Sequence, residues 1–180
     1  MLSLVDELLQ YREPDCPLPF DRGQIQGYSE AELLEISQRC NLSIHGDFRR
    51  LLLEMGRCSG GLLWGSYFSI YDQRYTPESF KDMQGIWDEG EPFNPQSTDY
   101  RDPVKHQMLV LSAVYENYNY ILFTDDNSVW LCDDNELSLR RMPGLFMQHL
   151  IYCVEEQNKP WRGVPICDRL VRSQTYGRLL

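Results

Sequence analysis

Hydrophobic positions in the first third of the chain recur at helical spacing. Leu2, Val5, Leu8 and Leu9 fall on one face and predict a short opening helix. Pro14, Pro17 and Pro19 break the pattern, because proline fixes its own backbone and lacks a donor. After Gly23 and Gly27, Ser29 is followed three residues later by Glu32, the spacing of a capping box. Leu33, Leu34 and Ile36 then predict a second helix running to Cys40. Phe48, Leu51, Leu52 and Met55 make a narrow apolar stripe, with Asp47 in the first turn and Gly56 as the stop of a third helix. Gly60-Gly61 predicts a turn. Leu62-Leu63-Trp64 and Tyr67-Phe68-Ser69-Ile70-Tyr71 read as short aromatic-rich strands. Thr76-Pro77-Glu78 has the order of an N-cap, a proline at the first helical position and an acid, and predicts a helix through Trp87. Gly90, Pro92, Pro95 and Pro103 make residues 88–103 a long acidic loop, a kind of segment often tied to function.

The period then changes from helical to alternating. Met108 to Val114, Tyr118 to Phe123, Val129 to Asp133 and Leu137 to Arg141 predict four strands. Asp125-Asp126-Asn127 and Asp133-Asp134-Asn135 separate three of them with residues that favour turns. Short strands joined by tight turns imply an antiparallel meander. In a meander, the Asp125-Asp126 turn and the Asp133-Asp134 turn sit at opposite ends of the sheet. Pro143-Gly144 opens a last helix, with Leu145, Phe146, His149, Leu150, Cys153 and Val154 on one face and Pro160 as its end. The tail after Trp161 has no strong pattern. The expected fold class is therefore α+β: an antiparallel meander with N-terminal helices and a C-terminal helix packed on it.

A length of 180 residues suits one domain with its own core. No apolar run approaches the roughly 20 residues that cross a bilayer. The opening Met1-Leu2-Ser3-Leu4-Val5-Asp6-Glu7 lacks the basic start and cleavage pattern of an export signal, so a cytoplasmic location is expected. Cys16, Cys40, Cys58, Cys132, Cys153 and Cys167 match no zinc-site spacing and read as reduced thiols, mostly buried. The net charge of −10 argues against nucleic acid and anionic membrane as partners and permits a basic one. The charge is uneven. Residues 85–136 carry a net −9, whereas residues 161–180 carry a net +3 from Arg162, Arg169, Arg172 and Arg178 against Asp168. A solvated acidic face is the plain alternative to a binding surface.

Catalytic chemistry finds no support in the motifs. His45, His106 and His149 form no paired motif, and no nucleophile elbow, phosphate loop or dinucleotide fingerprint is present. His149 lies on an apolar helix face, where a satisfied core histidine is the simpler reading. The two Asp-Asp-Asn clusters lack the alternating acids, central glycine and distal glutamate of a calcium loop. No metal and no cofactor are expected. Aromatic residues among acids are more suggestive, since rings bury area and acids steer a basic partner. The candidate partner-binding residues are Trp87, Asp88, Glu89, Glu91, Tyr115, Tyr118, Asp125, Asp126, Asp133, Asp134 and Glu136. Filling the core is the plain alternative for any one of the rings.

The run His45-Gly46-Asp47-Phe48-Arg49-Arg50-Leu51-Leu52-Leu53-Glu54-Met55-Gly56, followed by Gly60-Gly61, resembles the helix-to-glycine signature of the SUKH superfamily. Tyr120 to Trp130 resembles that family's central hairpin, and Leu145-Phe146-Met147-Gln148-His149-Leu150 resembles its closing helix. The chain departs from the pattern at Ile44-His45, where a proline is usual, and at Arg57-Cys58-Ser59, where an asparagine commonly precedes the glycines. The resemblance covers most of residues 29–156 and leaves the segments before and after it uncovered, so the chain is read in three parts. These are an N-terminal helix and proline-rich linker over 1–28, a SUKH-like domain over 29–156, and a basic tail over 157–180 packed on that domain.

The resemblance also implies a function. Bacterial SUKH proteins are mostly immunity proteins that bind a cognate polymorphic toxin, often a nuclease, and block it stoichiometrically. No catalytic residue carries over, so a non-enzymatic role is expected, with a basic toxin domain as partner. The alternative is an intracellular regulatory interaction module without a toxin.

Overall fold

Local capping sets the helix starts. The computed structural model describes residues 2–64, 68–71, 107–114, 118–133, 138–159 and 166–180. Ser3 accepts a hydrogen bond from the Asp6 backbone N–H and opens α1 (Leu4–Leu9). Leu4, Val5 and Leu8 are buried and Leu2 is exposed, so the apolar face predicted from Leu2 is instead completed by Leu4. Ser29 and Glu32 form the predicted capping box at the start of α2 (Glu30–Cys40). Leu33 and Ile36 are buried there, whereas Leu34 points to solvent. The stripe of α3 (Gly46–Met55) is as predicted, with Phe48, Leu51, Leu52 and Met55 fully buried.

The segments at 62–64 and 68–71 are not strands, which corrects the expectation. Leu62, Leu63, Trp64, Phe68, Ile70 and Tyr71 are all buried, and Ser69–Tyr71 is one turn of 3₁₀ helix. Several of their polar groups find partners without a ladder. Ser59 Oγ donates to Leu63 O and accepts from Leu63 N, and the Tyr71 hydroxyl donates to Met55 O at 2.7 Å. Gly60 and Gly61 adopt φ of 62° and 95°, a reversal that glycine allows at little steric cost. The helix predicted from Thr76 to Trp87 and the acidic loop 88–103 lie outside the described residues.

Four strands, β1 (Met108–Val114), β2 (Tyr118–Phe123), β3 (Ser128–Asp133) and β4 (Ser138–Arg141), pair antiparallel in sequence order. The predicted meander is therefore present, with an irregularity between Val110 and Ser112. Leu109, Leu122 and Val129 lie opposite one another and join the main core with α1, α3 and the closing helix. Ile121, Phe123, Trp130 and Cys132 alternate with them and form a second cluster with Met108 and Leu139.

The closing helix α4 (Phe146–Gln157) contacts α1, α3 and β3. Phe146, His149, Leu150, Cys153 and Val154 are buried as predicted, but Leu145 stands at the N-cap and is exposed. The tail contains a helix that its pattern did not announce, α5 (Asp168–Gln174). Beyond it, Tyr176 bridges to Cys58, Gly177 N donates to Arg57 O, and Arg178 N donates to Ile70 O. Leu179 is fully buried in the main core. The described parts make an α+β architecture in which the C-terminal residues are structural.

A β-carbon at Gly177 would lie 2.0 Å from Gly56 O and 2.7 Å from the Tyr28 hydroxyl. Gly177→Ala is expected to cost about 1–3 kcal/mol through that overlap. Urea unfolding measures the loss, and limited proteolysis should show earlier release of the C-terminal residues. Unchanged stability would mean that the docked terminus contributes little.

Candidate functional site

The β2–β3 turn is fastened to two helix starts. Asp126 Oδ1 accepts the Ser128 backbone N–H at 2.9 Å, and Asn127 takes the left-handed φ of 57° that the turn requires. The Asn127 side-chain Nδ2 lies 3.1 Å from His45 Nδ1, and His45 Nε2 lies 3.2 Å from Asp125 O. These partners fit one tautomer, in which Nε2 donates to the carbonyl and Nδ1 accepts from the amide. Phe146 N donates to Asn127 O at 3.0 Å, and the rings of Phe48 and Phe146 meet edge to face at 5.8 Å. The N-termini of α3 and α4 thus converge on the hairpin.

The predicted binding residues do not form one site among the described residues. Asp125 is exposed and Asp126 partly buried at one end of β3. Asp133 is partly buried at the other end, opposite Tyr118. Five strand steps separate Ser128 from Asp133, on the order of 17 Å. The meander therefore puts these acids on separate rims. Asp126 also has a structural task in the turn. Trp87, Asp88, Glu89, Glu91, Tyr115, Asp134 and Glu136 lie outside the described residues.

The structure instead brings together residues that the sequence left apart. The His149 ring centre lies 5.0 Å from that of Tyr120 on β2 and 6.2 Å from that of Tyr152 on α4. Tyr120 and Tyr152 are themselves 6.2 Å apart. With Val129, Met142, Pro143, Leu145 and the polar Gln148 these rings bound a mostly apolar groove of about 210 Å³. Leu145 at its rim is 47% exposed and Tyr152 is 37% exposed, so the apolar lining reaches the surface. Leu145, His149 and Tyr152 are spaced i, i+4 and i+7, a helical stripe legible in the sequence. Their meeting with Tyr120 depends on how α4 lies across the sheet.

His149 is the polar group at issue. It is buried, and its Nε2 has no hydrogen-bond partner. Burial pushes its pKa down to about 4, so the ring is neutral at physiological pH. The Tyr152 hydroxyl is held above the ordinary phenol range by burial, by the proximity of Tyr120 and Glu156, and by a hydrogen bond with Tyr120. It stays protonated. The unpaired His149 Nε2 is itself closed to solvent, so the polar groups at the groove are those of Tyr120, Tyr152 and Gln148.

Metal chemistry has no assembled ligand set among the described residues, where no three His, Cys, Asp or Glu side chains converge. All six cysteines are free thiols. Cys58, Cys132 and Cys153 are buried, Cys16 and Cys40 are partly buried, and Cys167 is exposed. Among the described residues no helix is long and apolar enough to cross a membrane. Compared with protein-family models, with curated proteins and with solved structures, the chain has no match.

The buried imidazole makes stability fall in acid. Unfolded histidine binds its proton near pH 6.5, whereas folded His149 resists it until about pH 4. Its contribution is complete above pH 6.5 and declines as pH falls toward 4. The loss should be about 2 kcal/mol at pH 5 relative to pH 7. His149→Gln, which cannot titrate there, should lose that much less stability over the same interval in urea unfolding. Equal losses in both proteins would show that His149 does not titrate as its burial requires.

Proposed function

We propose that this protein is an immunity protein. It binds a basic domain of a cognate polymorphic toxin, of the nuclease type, and blocks it by stoichiometric occlusion in the producing bacterial cell. The reading starts from the resemblance to the SUKH superfamily and is supported by one observation above others. The three segments that carry the resemblance, 45–56, 120–130 and 145–150, meet at a single junction through His45, Asn127, Phe48 and Phe146. They therefore behave as one structural unit rather than as scattered similarities.

Two further features favour binding over chemistry. An apolar groove opens at the surface beside that junction, as an anchor pocket for a partner does. The chain also carries a net charge of −10, with a net −9 over residues 85–136, and so attracts a basic surface from a distance. A nuclease domain presents such a surface because it contacts phosphate. Aromatic anchorage would set the lifetime of the complex, and the acids would set its rate of formation.

Affinity capture of the tagged protein from its native cells, followed by mass spectrometry, tests the role. A near-stoichiometric basic toxin domain is the expected product. A reproducible regulatory partner and no toxin would replace the immunity role with a regulatory one. With the toxin in hand, Asp88→Lys/Glu89→Lys and Asp133→Lys should slow association roughly tenfold at low salt, with the effect shrinking as salt rises. Association that ignores both the acids and the salt would remove electrostatic steering from the mechanism.

A further inference from the structure

We infer that His45 and Asn127 form a pH-operated latch between the β2–β3 turn and the start of α3, closed while the imidazole is neutral and opened by its protonation. Both ring nitrogens are engaged in the closed state. Nε2 lies 3.2 Å from Asp125 O, and Nδ1 lies 3.1 Å from the Asn127 side-chain Nδ2. A carbonyl only accepts and an amide nitrogen only donates, so Nε2 carries the proton and Nδ1 is bare. Asn127 Nδ2 also faces His45 O at 3.4 Å, which favours this orientation of the amide, since an oxygen there would face an oxygen. The approach is close: a β-carbon on Gly46 would lie 2.6 Å from Asn127 Nδ2. The latch rests on this junction and not on the proposed partner.

Protonation turns Nδ1 from an acceptor into a donor that faces a donor. The contact must then break, or the amide must turn over. A turned amide would offer Asn127 Oδ1, which is buried and without a hydrogen-bond partner, to the new N–H. It would also set that oxygen against His45 O. Neither orientation satisfies both contacts once the ring is charged. The bond from Nε2 to Asp125 O survives, so the change is confined to the Asn127 side. His45 is exposed, so a proton reaches it without unfolding. His149 differs, being buried and resisting its proton until about pH 4. The charged neighbours of His45 are Asp47 and Arg49 on α3, paired with Arg50 and Glu30, and Asp125 and Asp126 on the turn. The first turn of α4 adds no acid. These charges set where the ring titrates, whereas the Asn127 contact sets what its titration does.

The test is nuclear magnetic resonance of the isotope-labelled full chain from about pH 8 to about pH 5, where histidines titrate. At the alkaline end the His45 nitrogens should show the tautomer protonated at Nε2. As pH falls, the Asn127 side-chain amide should shift in step with the His45 ring. Phe146 N donates to Asn127 O at 3.0 Å, so opening should also reach the start of α4. Hydrogen exchange at the Phe146 amide, corrected for its intrinsic pH dependence, should quicken roughly two- to tenfold as the ring charges, as for the loss of one hydrogen bond. His45→Gln lies at an exposed position and should abolish both responses while His106 and His149 remain. Asn127→Gly removes the amide but tolerates the φ of 57°, and it should abolish the response at Phe146. A neutral ring protonated at Nδ1, an Asn127 amide that ignores the titration, or responses that persist in His45→Gln would overturn the inference.

Discussion

The edge-to-face contact between Phe48 and Phe146 holds together the part of the molecule on which the candidate site depends. Phe48 is the first buried position of α3, and Phe146 is the first residue of α4. Both are fully buried. Phe68 adds a third ring 5.9 Å from Phe146. Hydrogen bonds at the same place tie the β2–β3 turn to both helices, through Asn127 to His45 and through Phe146 N to Asn127 O. The angle of α4 across the sheet follows from these constraints. That angle sets Tyr152 and His149 over Tyr120 and opens the groove.

The groove carries a cost in stability that a purely structural core would avoid. Around His149 lie the rings of Phe68, Tyr120 and Tyr152, and its Nε2 has no hydrogen-bond partner. At the other end of α4, the buried Gln157 side chain likewise has neither its oxygen nor its nitrogen paired with protein. Polar groups of this kind lower stability relative to an apolar side chain of similar shape. Burial of His149 also makes the fold sensitive to acid.

Charges in the N-terminal third are paired locally. In the N-terminal helices, Asp6 pairs with Arg22, Glu7 and Asp47 with Arg50, Glu30 with Arg49, and Glu32 with Arg57. These pairs are at least partly exposed, so solvent screens them and each contributes little to stability. They fix local geometry and neutralise one another. The charge excess that could act at a distance lies mainly in residues 85–136. Steering and anchoring would then be performed by separate groups, acids for approach and rings for retention.

Signals that act over a few residues were legible in the sequence. The Ser29–Glu32 capping box, the Phe48–Met55 stripe, the alternating strands and the Asp125-Asp126-Asn127 turn all specify local geometry, and each reappears in the structure. The sequence by itself thus determined the start of α2, the buried stripe of α3, the meander and most of the apolar face of α4. Tertiary structure decided the rest. Residues 62–64 and 68–71 have the aromatic content of strands but are buried without a ladder: Ser59 bonds the Leu63 backbone, and the Tyr71 hydroxyl donates to Met55 O at the end of α3. The tail lacks an apolar period, yet its terminus is held by Cys58, Arg57 and Ile70, residues more than a hundred positions away. Leu145 and His149 share one helical stripe, but only the second is buried, since the entry of the chain into α4 leaves its N-cap at the rim. The meeting of Tyr120, His149 and Tyr152 is likewise a product of packing between elements. Local periodicity says which side of a helix or strand is apolar. Which of those residues meet, and which polar group is left without a partner, depends on contacts between distant parts of the chain.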